Sequence, residues 1–226
     1  MTMDKKFRYF EVIMAVFVAV LLISNIASTK ITQIGIFTLD GGTLLFPLTY
    51  IFGDVLTEVY GFRRARKVIW TGFACALLMS LTLAVVGYLP AASGFENQDA
   101  YMKILGQAPR IVLASLIAYF FGEFSNSFIL AKLKVKMQGK WLWVRTIGST
   151  LIGELLDSVI FVTIAFYGVL PNELVLSLIV FNYIFKTSIE ILFTPATYAI
   201  IKFLKRHEKE DYFDENTNFN PFSLKS

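Results

Sequence analysis

Six stretches of the chain, at about 10–28, 43–60, 68–89, 110–131, 144–168 and 174–204, are apolar almost throughout, and short polar segments separate them. A helix needs about 20 such residues to cross the ~30 Å hydrocarbon core of a bilayer. Lipid offers no partner for a backbone N–H or C=O, so each continuous run has to satisfy its own backbone as a helix. With 56% hydrophobic and only 17% charged residues in 226, little chain is left for anything else. The expected fold is an all-α integral membrane protein, a single bundle of six transmembrane helices over 1–206. A polar tail over 207–226 is expected to lack order beyond its first turn.

Charge placement predicts the orientation. Of the 21 Lys and Arg, 17 fall on one side if the chain starts there; Lys30, Lys103 and Arg110 fall on the other, and Lys186 lies inside a run. Cytoplasmic loops carry the excess of Lys and Arg, so both termini are expected in the cytoplasm. The net charge of +4 therefore describes membrane topology and not a nucleic-acid partner. The first run is too long for a signal-peptide core of 7–15 residues and reads as a retained helix. Lone Cys75 gives no disulfide framework. No cofactor or metal motif is present.

The ionisable residues inside the runs are the informative ones. Such residues are costly in lipid and face a bundle interior or a wet cavity. Asp54 and Glu58 are four apart and share a helix face. Glu58 stands near the cytoplasmic end, where a salt bridge to Arg63 or Arg64 competes with a site role. Tyr119, Glu123, Asn126 and Ser127 form one stripe at 100° per residue. Glu154, Asp157 and Ser158 form another, and two acids so close cannot both be charged cheaply unless a cation sits between them. Asn182, Lys186 and Glu190 repeat at spacings of four, and Lys186 is expected to neutralise one or more of the acids. Pro195 is expected to kink the last helix. Ser24 and Asn25 either cap or kink the first helix or bond to a ligand. Three segments echo one another, a glycine followed by an acid: Gly53-Asp54, Gly122-Glu123 and Gly153-Glu154. An internal repeat and chance both account for the echo.

The stretch 46–70, FPLTYIFGDVLTEVYGFRRARKVIW, resembles the signature segment of the queuosine precursor transporter family, also described as a vitamin uptake transporter family. Ser24-Asn25 with Lys30, Glu154 with Asp157-Ser158, and Lys186 with Glu190 and Pro195 add to the likeness. The resemblance implies import of 7-deazaguanine bases, the precursors of a modified tRNA nucleoside. The residues suit such a cargo. A carboxylate accepts both the ring N–H and the amine of a guanine-like edge, and an amide or cation answers the carbonyl oxygen. Expected substrate-binding residues are Asp54, Tyr119, Glu123, Asn126, Glu154, Asp157, Asn182, Lys186 and Glu190, meeting in one cavity.

Three functions compete at this point. The first is a self-sufficient importer of 7-cyano- or 7-aminomethyl-7-deazaguanine in the plasma membrane, its partners being a nucleobase and the lipid, with a homodimer left open. The second is the substrate-binding component of an energy-coupling-factor importer. The small pair Ala15 and Ala19, suited to close helix approach, favours it. The third is an intramembrane enzyme using Asp54 or Asp157. Against it stand the lack of a metal-ligand motif, of a membrane His, and of a serine–base pair at useful spacing.

Overall fold

The computed structural model describes residues 7–223. These form helices α1 Phe10–Ala27, α2 Phe46–Tyr60, α3 Phe62–Tyr88, α4 Gln98–Leu105, α5 Ala108–Lys136, α6 Leu142–Phe166 and α7 Asn172–Glu208. Between α1 and α2 lie an antiparallel hairpin, β1 Ile31–Ile34 with β2 Phe37–Asp40, and a 3₁₀ turn over Gly41–Leu44. Among the described residues, five segments are long and apolar enough to cross a membrane: Phe10–Ala27, Phe62–Tyr88, Gln98–Lys136, Leu142–Phe166 and Asn172–Glu208. The protein is a multi-pass, essentially all-helical membrane protein.

Helix α2 is the exception and the centre. Its 15 residues rise only about 22 Å at ~1.5 Å each. Thirteen of the 15 are buried, because α1, α3, α5 and α7 pack around it. A helix sheathed by protein need not match the bilayer, nor present apolar side chains to it, so it tolerates acids. Gly61, at φ 87°, ends α2 in a conformation that favours glycine, and α3 starts at once. The basic residues Arg63, Arg64, Arg66 and Lys67 thus form the first turns of α3 and not a loop.

The glycine–acid echoes mark where helices cross. A Cβ on Gly122 would stand 2.9 Å from both the Gly153 carbonyl oxygen and the Asp157 Cβ. One on Gly153 would stand 2.9 Å from the Asn126 Cβ. One on Gly53 would run into the Glu123 carboxylate. Bare backbone at these three points lets α2, α5 and α6 come together with their acids between them. Next to the crossing, Tyr119 packs with Phe17, Phe46, Tyr50 and Phe73 at ring separations of 5.7–6.1 Å.

Other boundaries differ from the sequence reading. The connection at 90–108 contains α4, and α7 continues through Pro195. The tail differs most. Expected to be unordered past its first turn, it folds back along the α2–α3 junction. The Tyr212 N–H donates to the Val59 carbonyl (3.2 Å) and the Phe62 N–H to the Asp214 carboxylate (3.0 Å). Arg66 donates to the Asn218 and Asn220 carbonyls at 2.9 and 2.8 Å, and the Trp70 indole to that of Pro221 at 2.8 Å. Phe219 and Phe222 pack on Phe62 and Trp70. The tail's apolar residues recur too sparsely to predict a helix, yet they suffice to anchor an extended strap. Residues 1–6 and 224–226, the outer ends of the two expected segments, lie outside the described residues.

Candidate functional site

The polar residues of α2, α5, α6 and α7 form one column through the bundle. Asp54 accepts a hydrogen bond from the Asn126 amide (2.8 Å). Glu123 accepts from Ser127 (3.0 Å), whose hydroxyl in turn accepts from Thr57 (3.1 Å). The Lys186 ammonium sits 2.6 Å from Asp157 and 3.5 Å from Glu154, under the Phe46 ring at 4.2 Å. Glu190 accepts from Thr150 (2.9 Å) and lies within electrostatic reach of Asp54 and Glu154. Two acids of α6 thus hold Lys186, as expected of a cation inside a run, and Glu190 turns to Thr150 of α6 instead.

The column is tightly closed, and many of its polar atoms have no partner. Asp54 Oδ2, Tyr119 Oη, Glu123 Oε2, Asn126 Oδ1, Asp157 Oδ1 and Glu190 Oε2 are all buried without a hydrogen bond of normal geometry, although Tyr119 is near Glu123 and Asp54 near Glu190. Buried polar atoms are paired in the great majority of proteins, so a concentration of unpaired ones on facing helices is a functional signature. Asn182 is different. Its amide donates to Asp40 (2.8 Å) and its carbonyl accepts from Thr43 (3.2 Å), so both ends are committed to structure.

At the hairpin end a narrow cleft opens onto the column. Asn25, Asp40, Phe46, Phe161, Asp157 and Lys186 are among its lining residues. It holds about 10 Å³, space for about one water molecule. Asp40, which the sequence shows only as part of a turn signal, is a buried pin. It accepts from the Gly42 and Thr43 N–H groups at 3.0 and 3.2 Å, from Ser28 at 2.7 Å, from the Thr43 hydroxyl at 2.6 Å, and from Asn182.

At the opposite end Glu58 closes the column. Of the two readings of Glu58, the bridge to Arg63 or Arg64 does not form among the described residues. Arg64 donates instead to the Tyr60 carbonyl (3.0 Å) and stacks near Phe7 and Tyr212. Glu58 is fully buried and pairs with Arg145 of α6, with Lys205 of α7 at 2.7 Å, and with Lys134 of α5 at 3.6 Å. Asp211 of the tail bridges Lys134 (2.5 Å) and Lys205 (2.8 Å). Two acids and three cations thus tie α2, α5, α6, α7 and the tail together. Burial pushes the Asp211 carboxyl up, but its bonds to Lys134 and Lys205 outweigh that and hold it below the usual carboxylate range. Burial also pushes Asp214 up, and there the Thr217 and Phe62 donors offset it only in part. Sequence spacing could not find this cluster, because its members come from five separate segments.

Residues 40–200 match a family model described as "Putative vitamin uptake transporter". The "Probable queuosine precursor transporter" of Bacillus subtilis (strain 168) is 28% identical over 187 residues, 82% of each chain. The protein of the same description from Haemophilus influenzae is 30% identical over 73% of this chain and 69% of its own. The "Queuosine precursor transporter" of Escherichia coli (strain K12) is 26% identical over 71% of each. No solved structure matches. The family match takes in α2, the glycine crossings and every member of the polar column, and the chain belongs to the vitamin uptake transporter family.

Proposed function

We propose that this protein imports queuosine precursors, 7-cyano- or 7-aminomethyl-7-deazaguanine, across the plasma membrane on its own, as a transporter and not an enzyme. The observation that carries the reading is the closed column of unpaired acceptors on α2, α5, α6 and α7, sealed by a charge cluster at one end and ending in a cleft at the other. A guanine-like edge supplies the donors these acceptors lack. The names of the three relatives point to the same cargo.

In this scheme six helices span the bilayer, α2 included, with both termini in the cytoplasm. Residues 1–206 are the transport domain and 207–226 a cytoplasmic tail. The hairpin end then faces outside and the Glu58 cluster is the cytoplasmic closure. Glu123 and Asn126 read the edge of the base from α5, with Asp54, Glu154 and Glu190 completing the path and Tyr119 lending its hydroxyl. Asp157 and Lys186 are its outer end, and Asn182 acts through Asp40. Transport requires the sealed column to open to each side in turn. Labelling of Ser93→Cys from outside, and of Ser223→Cys only after permeabilisation, in a Cys75→Ser background, tests the orientation.

The functional test is uptake of labelled base by the purified protein in proteoliposomes. Wild type should accumulate it, and Glu123→Gln should bind at least about tenfold more weakly, because it turns an acceptor into a donor facing a donor. Normal binding in Glu123→Gln with loss in Glu154→Gln or Asp54→Asn would move the base to another helix. A second reading rests on Ala15 and Ala19, which stand on the exposed face of α1. Such a face suits a partner module of an energy-coupling-factor importer, or a second copy of this chain. Binding without uptake by the isolated protein would favour that module.

A further inference from the structure

We infer that Asn25 on α1 is a substrate-selecting residue, accepting a hydrogen bond from the exocyclic amine of the base when it first docks in the cleft at the hairpin end. The inference rests on the transport reading above and adds a residue and a stop on the path.

Three observations carry it. First, most polar groups near the mouth of the cleft are already used. Asp40 accepts from four residues, Ser28 at 2.7 Å among them, Asn182 is committed to Asp40 and Thr43, and Ser24 donates to the Leu21 carbonyl of its own helix at 3.0 Å. Second, Asn25 is not used up. Its Nδ2 donates to the Leu21 carbonyl at 2.8 Å, which fixes the way the amide faces, and its Oδ1 is buried in the cleft wall with no partner. Third, the facing wall presents a matching pair. Asp157 Oδ1 is also without a partner, while its Oδ2 holds the Lys186 ammonium at 2.6 Å.

The order of these groups fits one edge. On a guanine-type ring the carbonyl oxygen, the ring N–H and the exocyclic amine follow one another. Lys186 and Asp157, in contact, answer the first two as donor and acceptor. The amine then needs an acceptor from a different element, and Asn25 is a lining residue whose carbonyl oxygen is buried and unpaired. Phe46 and Phe161 supply apolar walls for a flat ring. The cleft must widen to admit it, and α1 is the wall least held by its neighbours. Only 22% of its apolar window is buried in the protein, against 56% for α6.

The test compares 7-cyano-7-deazaguanine with its analogue lacking the exocyclic amine, on the full-length protein in nanodiscs and in uptake. Wild type should bind the analogue at least about tenfold more weakly, since a site built to bond a donor rejects the ligand without it. Asn25→Leu should lose that discrimination by weakening the parent base alone, whereas Asn25→Asp, which keeps an acceptor, should retain it. Asn25→Cys in a Cys75→Ser background gives a readout independent of affinity: saturating base should slow its reaction with an impermeant maleimide. If wild type binds neither base, the transport reading falls and this inference with it. If wild type discriminates and Asn25→Leu discriminates equally well, or if the base leaves Cys labelling at position 25 unchanged, the transport reading stands and Asn25 has no part in selection.

Discussion

Lys186→Met tests the electrostatics of the column most sharply. The lysine is buried, 2.6 Å from Asp157 and 3.5 Å from Glu154. The free oxygens of both acids have no other donor. Methionine matches the stem and removes the charge, so it leaves two acids facing each other in a dry interior. Breaking a buried pair from one side costs about 3–5 kcal/mol. At roughly 2–4 °C per kcal/mol for a chain of this size, the melting temperature should fall by about 6–20 °C. Far-UV circular dichroism on protein in detergent would follow the transition. Adding Asp157→Asn should recover part of the loss, because it removes one of the uncompensated charges. A melting temperature within about 2 °C of wild type would show that Lys186 does not hold these acids. Equal loss in the single and double variants would refute the charge argument, leaving lost packing as the cause.

The remaining expectations concern the crossing and the tail. Gly122→Val should destabilise by at least about 1–3 kcal/mol, or block expression, because its Cβ would press on the Gly153 backbone and Asp157 at 2.9 Å; normal melting would mean that α5 and α6 are not locked there. Glu58→Gln should loosen the tail end far more than Asp211→Asn, since Glu58 is buried among three cations while Asp211 is nearly half exposed; limited proteolysis of residues 209–223 reads the difference. Tail docking should be strongest near the free carboxylate pKa, at a pH of about 4. Asp214, raised when docked, favours docking more as pH falls from neutral through its pKa; Asp211, lowered when docked, contributes fully above its free pKa and is lost as pH falls through its depressed one. Spin labels at Lys67→Cys and Glu215→Cys should show the narrowest distance distribution between those limits, and a monotonic trend would refute the assignment.

The apolar runs were enough to determine a helical membrane protein, because lipid leaves the backbone no alternative. Helix periodicity also grouped Tyr119 with Glu123 and Asn126, and Glu154 with Asp157, since faces of one helix are local properties. Pairings between helices were not legible. That Lys186 takes Asp157 and Glu154 but not Glu190, and that Glu58 takes Arg145 and Lys205 but not its neighbours Arg63 and Arg64, depends on how the helices rotate and cross. Those rotations are set by Gly53, Gly122 and Gly153, whose missing side chains fix where backbones touch. The sequence marked α2 as the distinctive stretch but showed neither that it is the sheathed centre nor that it is short. The tail shows the same division. Its polarity is local, but its order comes from partners on α2, α3, α5 and α7, from 6 to 154 positions away. Composition states what a segment can bury by itself, and only the folded chain supplies the surface that buries it.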